Sequence, residues 1–268
     1  MLNHLTSGSD QHPTVLFLHG FMGSANDWID VMAGLGQDYH SLAVDLPGHG
    51  SSTGLADAAY TMEGASQALV DLLDERGVER CAVVGYSMGG RLALYFALHF
   101  PERCRKLVLE SASPGLKTAQ EREARCVLDE ERAVRLESGD FETFLHAWYR
   151  QPLFASLAGH EGLVRQMIDR RRINDPRELA RSLRGMGTGR QPSLWERLSE
   201  LRVSTCAVAG ALDRKYVGIA GRMARGSRSV HAAVVEEAGH NVHAEQPRRF
   251  VTLLHAFLDD GSAPSRVI

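Results

Sequence analysis

Residues 81–98 read CAVVGYSMGGRLALYFAL. Small and branched apolar residues run up to Tyr86, a serine follows, and glycine stands two positions to either side of it. From Arg91 the apolar positions recur at helical spacing until Pro101 closes the run. The stretch therefore predicts a strand, a sharp turn and a helix. That context gives Gly85-x-Ser87-x-Gly89 its meaning, because a turn this tight excludes bulky neighbours and lifts the serine hydroxyl above the end of a sheet. It also aims the Met88 amide into the same space. A glycine-rich turn with an inert serine is the plain alternative, and the strand before and helix after it speak against that.

Working outward, strand-like runs at 15–19, 41–45, 106–110, 205–209 and 231–236 join 81–86, and helical patterns fall at 62–76, 91–100 and 247–258. Strands alternating with helices predict an α/β fold, a mostly parallel central sheet with helices on both faces. The rhythm breaks between 116 and 198, where helices are predicted at 118–137, 141–149, 161–172 and 175–186. The expectation is a single domain, with a core at about 13–115 and 199–260 and a helical cap insertion at about 116–198. A cap there would lie over the strand ends, where open α/β sheets place their sites. The tail from Gly261 is polar and expected to be loose.

A second element supports the elbow. His19-Gly20-Phe21-Met22-Gly23 follows the strand VLFLH, so the Phe21 amide is expected to join that of Met88 as an oxyanion donor. His19 and His49 read as residues that brace their loops. The chain order Ser, Asp, His is that of the α/β-hydrolase fold. Asp213 follows the strand TCAVAGAL in a polar loop, and Glu110, ending the strand before the cap, is the rival acid. His240 lies in Ala238-Gly239-His240-Asn241, with His243 three residues on. An imidazole suits the base position because its ordinary pKa lies near working pH. The expected triad is Ser87, Asp213 and His240.

Composition narrows the class further. A net charge of −3 gives no overall case for nucleic acid or a membrane surface as partner. Cys81, Cys104, Cys126 and Cys206 are widely spaced, without CxxC, so neither a disulfide framework nor a metal site is expected. With no basic-then-apolar leader and no membrane-length apolar run, the expected location is cytoplasmic. No cofactor and no obligate protein partner are implied.

Arginine placement suggests more than ester cleavage. Arg91 stands four residues after Ser87, one turn along the same helix face, where a neutral ester needs no cation. The predicted cap is rich in arginine; most of these suit solvated helix faces, but Arg170, Arg171 and Arg172 repel one another and cannot all share one outward face. Guanidinium groups grip carboxylates in pairs of hydrogen bonds, which points to a small-molecule substrate with several carboxylates.

The strings LHGFMGSANDW (18–28), GYSMGGRLALYFAL (85–98), ESASPGL (110–116), WYRQPLFASL (148–157), GTGRQPSLW (187–195) and AGHNVHAEQP (238–247) carry a resemblance. From about residue 15 to 257 the chain resembles the 2-succinyl-6-hydroxy-2,4-cyclohexadiene-1-carboxylate (SHCHC) synthases, lyases of menaquinone and phylloquinone biosynthesis. The resemblance implies elimination of pyruvate from 2-succinyl-5-enolpyruvyl-6-hydroxy-3-cyclohexene-1-carboxylate, with Ser87 in the proton-abstracting apparatus. It implies that Tyr86, Arg91, Arg125, Trp148 and Arg171 hold the substrate, Arg171 being flanked by Arg170 and Arg172. Lys117 departs from the family, which carries glutamine there. Trp148 equally suits packing of a cap helix, and the 187–189 glycines suit a hinge. A serine esterase or carbon–carbon hydrolase with the same triad is the competing reading, and a non-catalytic binding protein on this scaffold is a third.

Overall fold

The computed structural model describes residues 1–260 and 266–267. Strands β1 (His4–Ser7), β2 (Thr14–Leu18), β3 (His40–Val44), β4 (Cys81–Tyr86), β5 (Cys104–Glu110), β6 (Ser204–Gly210), β7 (Val230–Val235) and β8 (Arg266–Val267) form one sheet in the order β1-β3-β2-β4-β5-β6-β7-β8. Only β1 runs antiparallel, against β3; the other pairings are parallel. Helices α1 (Ile29–Leu35), α2 (Met62–Glu75), α3 (Met88–His99), α4 (Ala119–Ser138), α5 (Phe141–Tyr149), α6 (Glu161–Arg171), α7 (Pro176–Met186), α8 (Arg214–Gly226), α9 (Val242–Glu245) and α10 (Pro247–Asp260) complete it.

Why the central strands are apolar throughout follows from their two covered faces. Along β2, Leu16 and Leu18 join one buried cluster with Leu69 of α2 and Leu92 and Phe96 of α3. Val15 and Phe17 point the other way, into a cluster with Trp28, Phe250 and Phe257. Alternation at period two thus feeds two cores, one on each side of the sheet. Each fully buried large side chain there contributes about 1.5–3 kcal/mol of transfer free energy.

Between β5 and β6 the chain leaves the sheet for α4–α7. Thr118 opens α4 with a capping box, accepting from Glu121 N while the Glu121 carboxylate accepts from Thr118 N. These helices gather a third cluster around Phe144, Leu145, Tyr149, Phe154, Ile168 and Leu183. Met22 belongs to it, although Met22 follows β2 of the sheet. The two ends of the insertion are stitched together: Leu194 N donates to Pro114 O (2.7 Å), Trp195 Nε1 to Gly115 O (2.8 Å) and Gln191 Nε2 to Ser113 O (3.2 Å).

The six expected strands and the cap helices occur with shifts of one or two residues at their ends. Helix α3 starts at Met88 rather than Arg91, because the elbow serine itself occupies its N-cap position. Strands β1 and β8, and helices α1, α8 and α9, were not expected. Short polar edges such as HLTS lack a strand pattern, and α8 is broken up in sequence by Gly218 and Gly221. In the tail, Arg266 and Val267 pair with β7; residues 261–265 and 268 lie outside the described residues. No helix among the described residues is long and apolar enough to cross a membrane.

Candidate active site

Ser87 sits at φ 49° and ψ −104°, a left-handed backbone that L-residues rarely adopt. The fold holds it there from both sides: Ser87 N donates to Glu110 O of β5 (2.8 Å), and Ser87 O accepts from Arg91 N (3.0 Å). The flanking glycines are compulsory. A Cβ on Gly85 would come within 2.5 Å of Gly89 O, and one on Gly89 within 2.2 Å of Leu18 O. The hydroxyl is thereby presented above the carboxyl ends of β2, β4 and β5.

His240 reaches that hydroxyl from the loop after β7. Its Nε2 lies 3.2 Å from Ser87 Oγ, and its Nδ1 lies 2.8 Å from Asp213 Oδ2. Asp213 caps α8, its Oδ1 accepting from Tyr216 N (3.2 Å), so one carboxylate oxygen is fixed by the helix and the other orients the imidazole. Tyr216, Phe154 and Tyr86 pack on the His240 ring with centroids 4.7, 5.9 and 5.6 Å away. The rival groups pair with each other instead. Glu110 accepts from His243 Nδ1 (2.8 Å) and from His243 N (3.0 Å), and the His243 ring stacks on Trp28. That buried pair lies under the site and belongs to the core.

Met88 begins α3, and Phe21 lies in the turn closed by Gly23 N donating to Gly20 O (2.9 Å). The turn rests on two histidines. His19 Nε2 accepts from Leu46 N (2.9 Å) while its Nδ1 meets Gly20 O (2.7 Å), and His49 Nδ1 meets Pro47 O (3.1 Å). Burial lowers both imidazole pKa values, which keeps them neutral and suited to bracing.

Arg91 is turned inward and is 8% exposed. Its Nη1 donates to Met186 O (2.9 Å) and Gln191 Oε1 (3.1 Å), both neutral, and no carboxylate lies within ion-pair distance of it among the described residues. Burial pulls its pKa down to about 10, which still leaves a cation at neutral pH. Arg125 of α4 is half-buried, with Nε on Asp129 Oδ1 (2.7 Å), and Arg132 shares that oxygen at 3.3 Å. Burial raises the Tyr216 pKa, and that phenol also feels the charges of Arg91, Asp213 and Arg125, so it stands between the cations and the triad. The half-buried Trp148 packs on Phe21, ring centroids 5.3 Å apart, with the Arg132 guanidinium 5.8 Å from its centroid. A cavity of about 810 Å³ between α4 and α7 is lined by Cys126, Val134, Arg184 and their neighbours and by no member of the triad.

The family of the alpha/beta hydrolase fold matches residues 13–171. A 2-succinyl-6-hydroxy-2,4-cyclohexadiene-1-carboxylate synthase of Serratia proteamaculans is 34% identical over 95% of this chain and 96% of its own length. Protein PHYLLO, chloroplastic, of Arabidopsis thaliana is 36% identical over 91% of this chain, which spans only 15% of that protein. The solved structure of MenH from S. aureus superimposes with a TM-score of 0.92 at 32% identity, covering 97% of this chain and 99% of that one. The chain belongs to the SHCHC synthase family.

Set against what the synthase family implies, the carried-over residues divide. Arg91 sits one helical turn beyond Ser87, Arg125 is near enough to add electrostatically to the burial that lowers the Arg91 pKa, and Trp148 packs on Phe21. Tyr86 is buried in the core cluster with Trp28 and Val84, its ring wedged between His240 and His243. Arg171 is buried and already has partners within the protein. It alone of the Arg170–Arg172 run turns in, but its Nη1 is spent on Asp27 Oδ1 (2.6 Å) and its Nε on Tyr149 Oη (3.1 Å). Arg170 reaches Asp30 at 3.6 Å, and Arg172 pairs with Glu142 and Asp169 at the surface. Lys117 lies over the Trp195 ring, 4.9 Å from its centroid. Sequence reasoning missed Tyr216, Phe154, Gln191 and Asp27. Tyr216 alone carried a local signal, standing in the first turn after an aspartate able to cap a helix.

Proposed function

We propose that this chain catalyses the SHCHC synthase reaction, the elimination of pyruvate from 2-succinyl-5-enolpyruvyl-6-hydroxy-3-cyclohexene-1-carboxylate, with Ser87, His240 and Asp213 as its base. The substrate is a small tricarboxylate. Ser87 Oγ takes the ring proton α to the succinyl ketone as its own proton passes to His240 Nε2, and Asp213 stabilises the imidazolium that forms. The C–H electron pair moves to the ketone oxygen, where the Phe21 and Met88 amides face the developing charge; a donor of this kind contributes ~10²–10³ in rate. As the enolate collapses, the new ring double bond forms and the C–O bond to the enolpyruvyl group breaks. The departing pyruvate enolate takes a proton back from His240 through Ser87, restoring the base.

The observation that supports this reading over ester cleavage is Arg91. A cation buried one helical turn from Ser87, without a carboxylate partner among the described residues, has a solvation cost that an anionic substrate would offset. Arg125 and Trp148 extend the same wall, and we assign the inserted helices as a lid over it. The four cysteines are all unpaired, which supports a reducing, cytoplasmic location.

The test is pyruvate release from the enolpyruvyl substrate, coupled to lactate dehydrogenase and read as NADH loss. Wild type should turn over, Ser87→Ala and Arg91→Ala should not, and turnover of p-nitrophenyl acetate should be far slower. Wild-type protein that releases no pyruvate above background but cleaves the ester would make this an esterase.

A further inference from the structure

The oxyanion turn is anchored in the inserted helices as well as in the sheet. Met22, next to Phe21, holds a left-handed backbone (φ 63°) and buries its side chain completely among Phe144, Leu145 and Tyr149. Its carbonyl accepts from Asn174 Nδ2 (2.8 Å), three residues beyond the end of α6. The same Asn174 side chain accepts from Gly50 N (2.8 Å) in the loop after β3, and its Nδ2 also donates to Arg171 O (3.0 Å). Arg171 in turn pairs with Asp27, which lies in the single 3-10 turn (Ala25–Trp28) that follows the oxyanion segment. Both side chains of this pair are almost inaccessible, 4% and 5% exposed. The end of α6 therefore grips this stretch at two points, by an amide clamp on Met22 within the turn and an ion pair on Asp27 downstream of it.

We infer that Arg171, Asp27 and Asn174 are positioning residues, which set the Phe21 amide against the reacting oxygen by tying the oxyanion turn to α6. Arg171 is thus a tie between two parts of the fold rather than a grip on a substrate carboxylate. The inference rests on the reading of Phe21 as an oxyanion donor. A left-handed non-glycine residue persists only where its surroundings over-determine it, and here part of that constraint comes from the insertion. Displacing an amide donor by a fraction of an ångström weakens a bond made most strongly in the transition state, so the loss belongs in kcat and not in KM.

The experiment measures kcat and KM for pyruvate release with wild type, Asp27→Asn, Arg171→Met, the double variant and Asn174→Ala, alongside amide hydrogen exchange over residues 20–24. Asp27→Asn and Arg171→Met should each lower kcat tenfold or more with KM changed less than threefold. The double variant should be no slower than the slower single one, because both remove one interaction. Exchange over residues 20–24 should quicken in all of them. Asn174→Ala uncovers no charge and keeps the test alive should the ion-pair variants fail to fold; it should lower kcat about fivefold at constant KM. A rise in KM confined to Arg171→Met, with Asp27→Asn at wild-type kcat, would mean that Arg171 holds substrate and would overturn the inference. Unchanged exchange in Asn174→Ala would overturn it too. Absence of turnover in wild type would instead indict the reaction assignment, and the exchange measurement would still decide the tie.

Discussion

Replacing Arg91 with methionine separates function from stability more cleanly than any triad substitution. Methionine keeps the length and apolar stem of the arginine while removing a charge whose side-chain hydrogen bonds among the described residues go to Met186 O and Gln191 Oε1. On the stability side the terms nearly cancel. Two hydrogen bonds from a charged donor contribute about 1.5–3 kcal/mol each, while keeping the unpaired cation out of water costs several kcal/mol. The net change should lie within about 2 kcal/mol of zero, or roughly 4–8 °C in Tm for a chain of this size. Activity has no such compensation. Truncating one partner of a buried charged contact costs about 2–5 kcal/mol, which converts to a loss of roughly 30- to 5,000-fold in kcat/KM at 1.36 kcal/mol per decade. The assay is the lactate-dehydrogenase-coupled release of pyruvate, with thermal melting in parallel. A kcat/KM within threefold of wild type would refute the placement of a substrate carboxylate on Arg91. A drop in Tm of ~15 °C or more would show that the residue is chiefly a structural strut.

Three further outcomes follow from the geometry. Asp213→Asn should lower kcat by ~10²–10⁴, whereas Glu110→Gln, whose partner is His243, should lower Tm and keep kcat within tenfold; the reverse pattern would reassign the acid. Phe250→Ala, in the core against Trp28 and His243, should cost about 3–5 kcal/mol, a fall in Tm of roughly 6–20 °C at ~2–4 °C per kcal/mol, measured by calorimetry. Burial alone would raise the Asp27 carboxyl pKa, but Arg171 more than offsets this and holds it below the ordinary 3.8. The folded state therefore binds fewer protons at this site than the unfolded chain, and the stabilisation is complete above about pH 4 and lost as pH falls through the folded value. Melting curves between pH 5 and pH 2.5 should steepen more for wild type than for Asp27→Asn, and parallel curves would contradict the ion pair.

How far the sequence speaks depends on the range of the interaction. The elbow is local: two glycines, a strand and a helix lie within eighteen residues, and each constrains the next. Arg91 was visible for the same reason, since four residues along a helix fix its direction relative to Ser87. The sequence favours His240 over His243 because His243 falls at a helix start, and in the structure the two rings meet separate acids, Asp213 and Glu110. What Arg171 meets inside the protein was not legible, because its partner Asp27 stands 144 positions away. A run of three arginines shows that one must turn inward and says nothing of what waits there. Tyr216 and Phe154 were missed for a similar reason, as an aromatic at helical spacing looks the same whether it faces a core or a catalytic imidazole. The edge strand β1 carries too few apolar residues to reveal its pairing.

The hydrogen bonds that join Pro114 to Leu194, Gly115 to Trp195 and Ser113 to Gln191 make the excursion between β5 and β6 a closed cassette with a narrow doorway. Much of what lies inside the cassette can be exchanged, lengthened or recharged without touching the sheet, so long as the contacts of Phe154 with His240 and of Arg171 and Asn174 with the oxyanion segment are kept. One scaffold can in this way host new guests by editing a single contiguous stretch of gene. Gln191 stands in the doorway with one end on Ser113, in the loop after β5, and the other on Arg91, so a redesigned cassette that discards it would also release the cation it helps to aim.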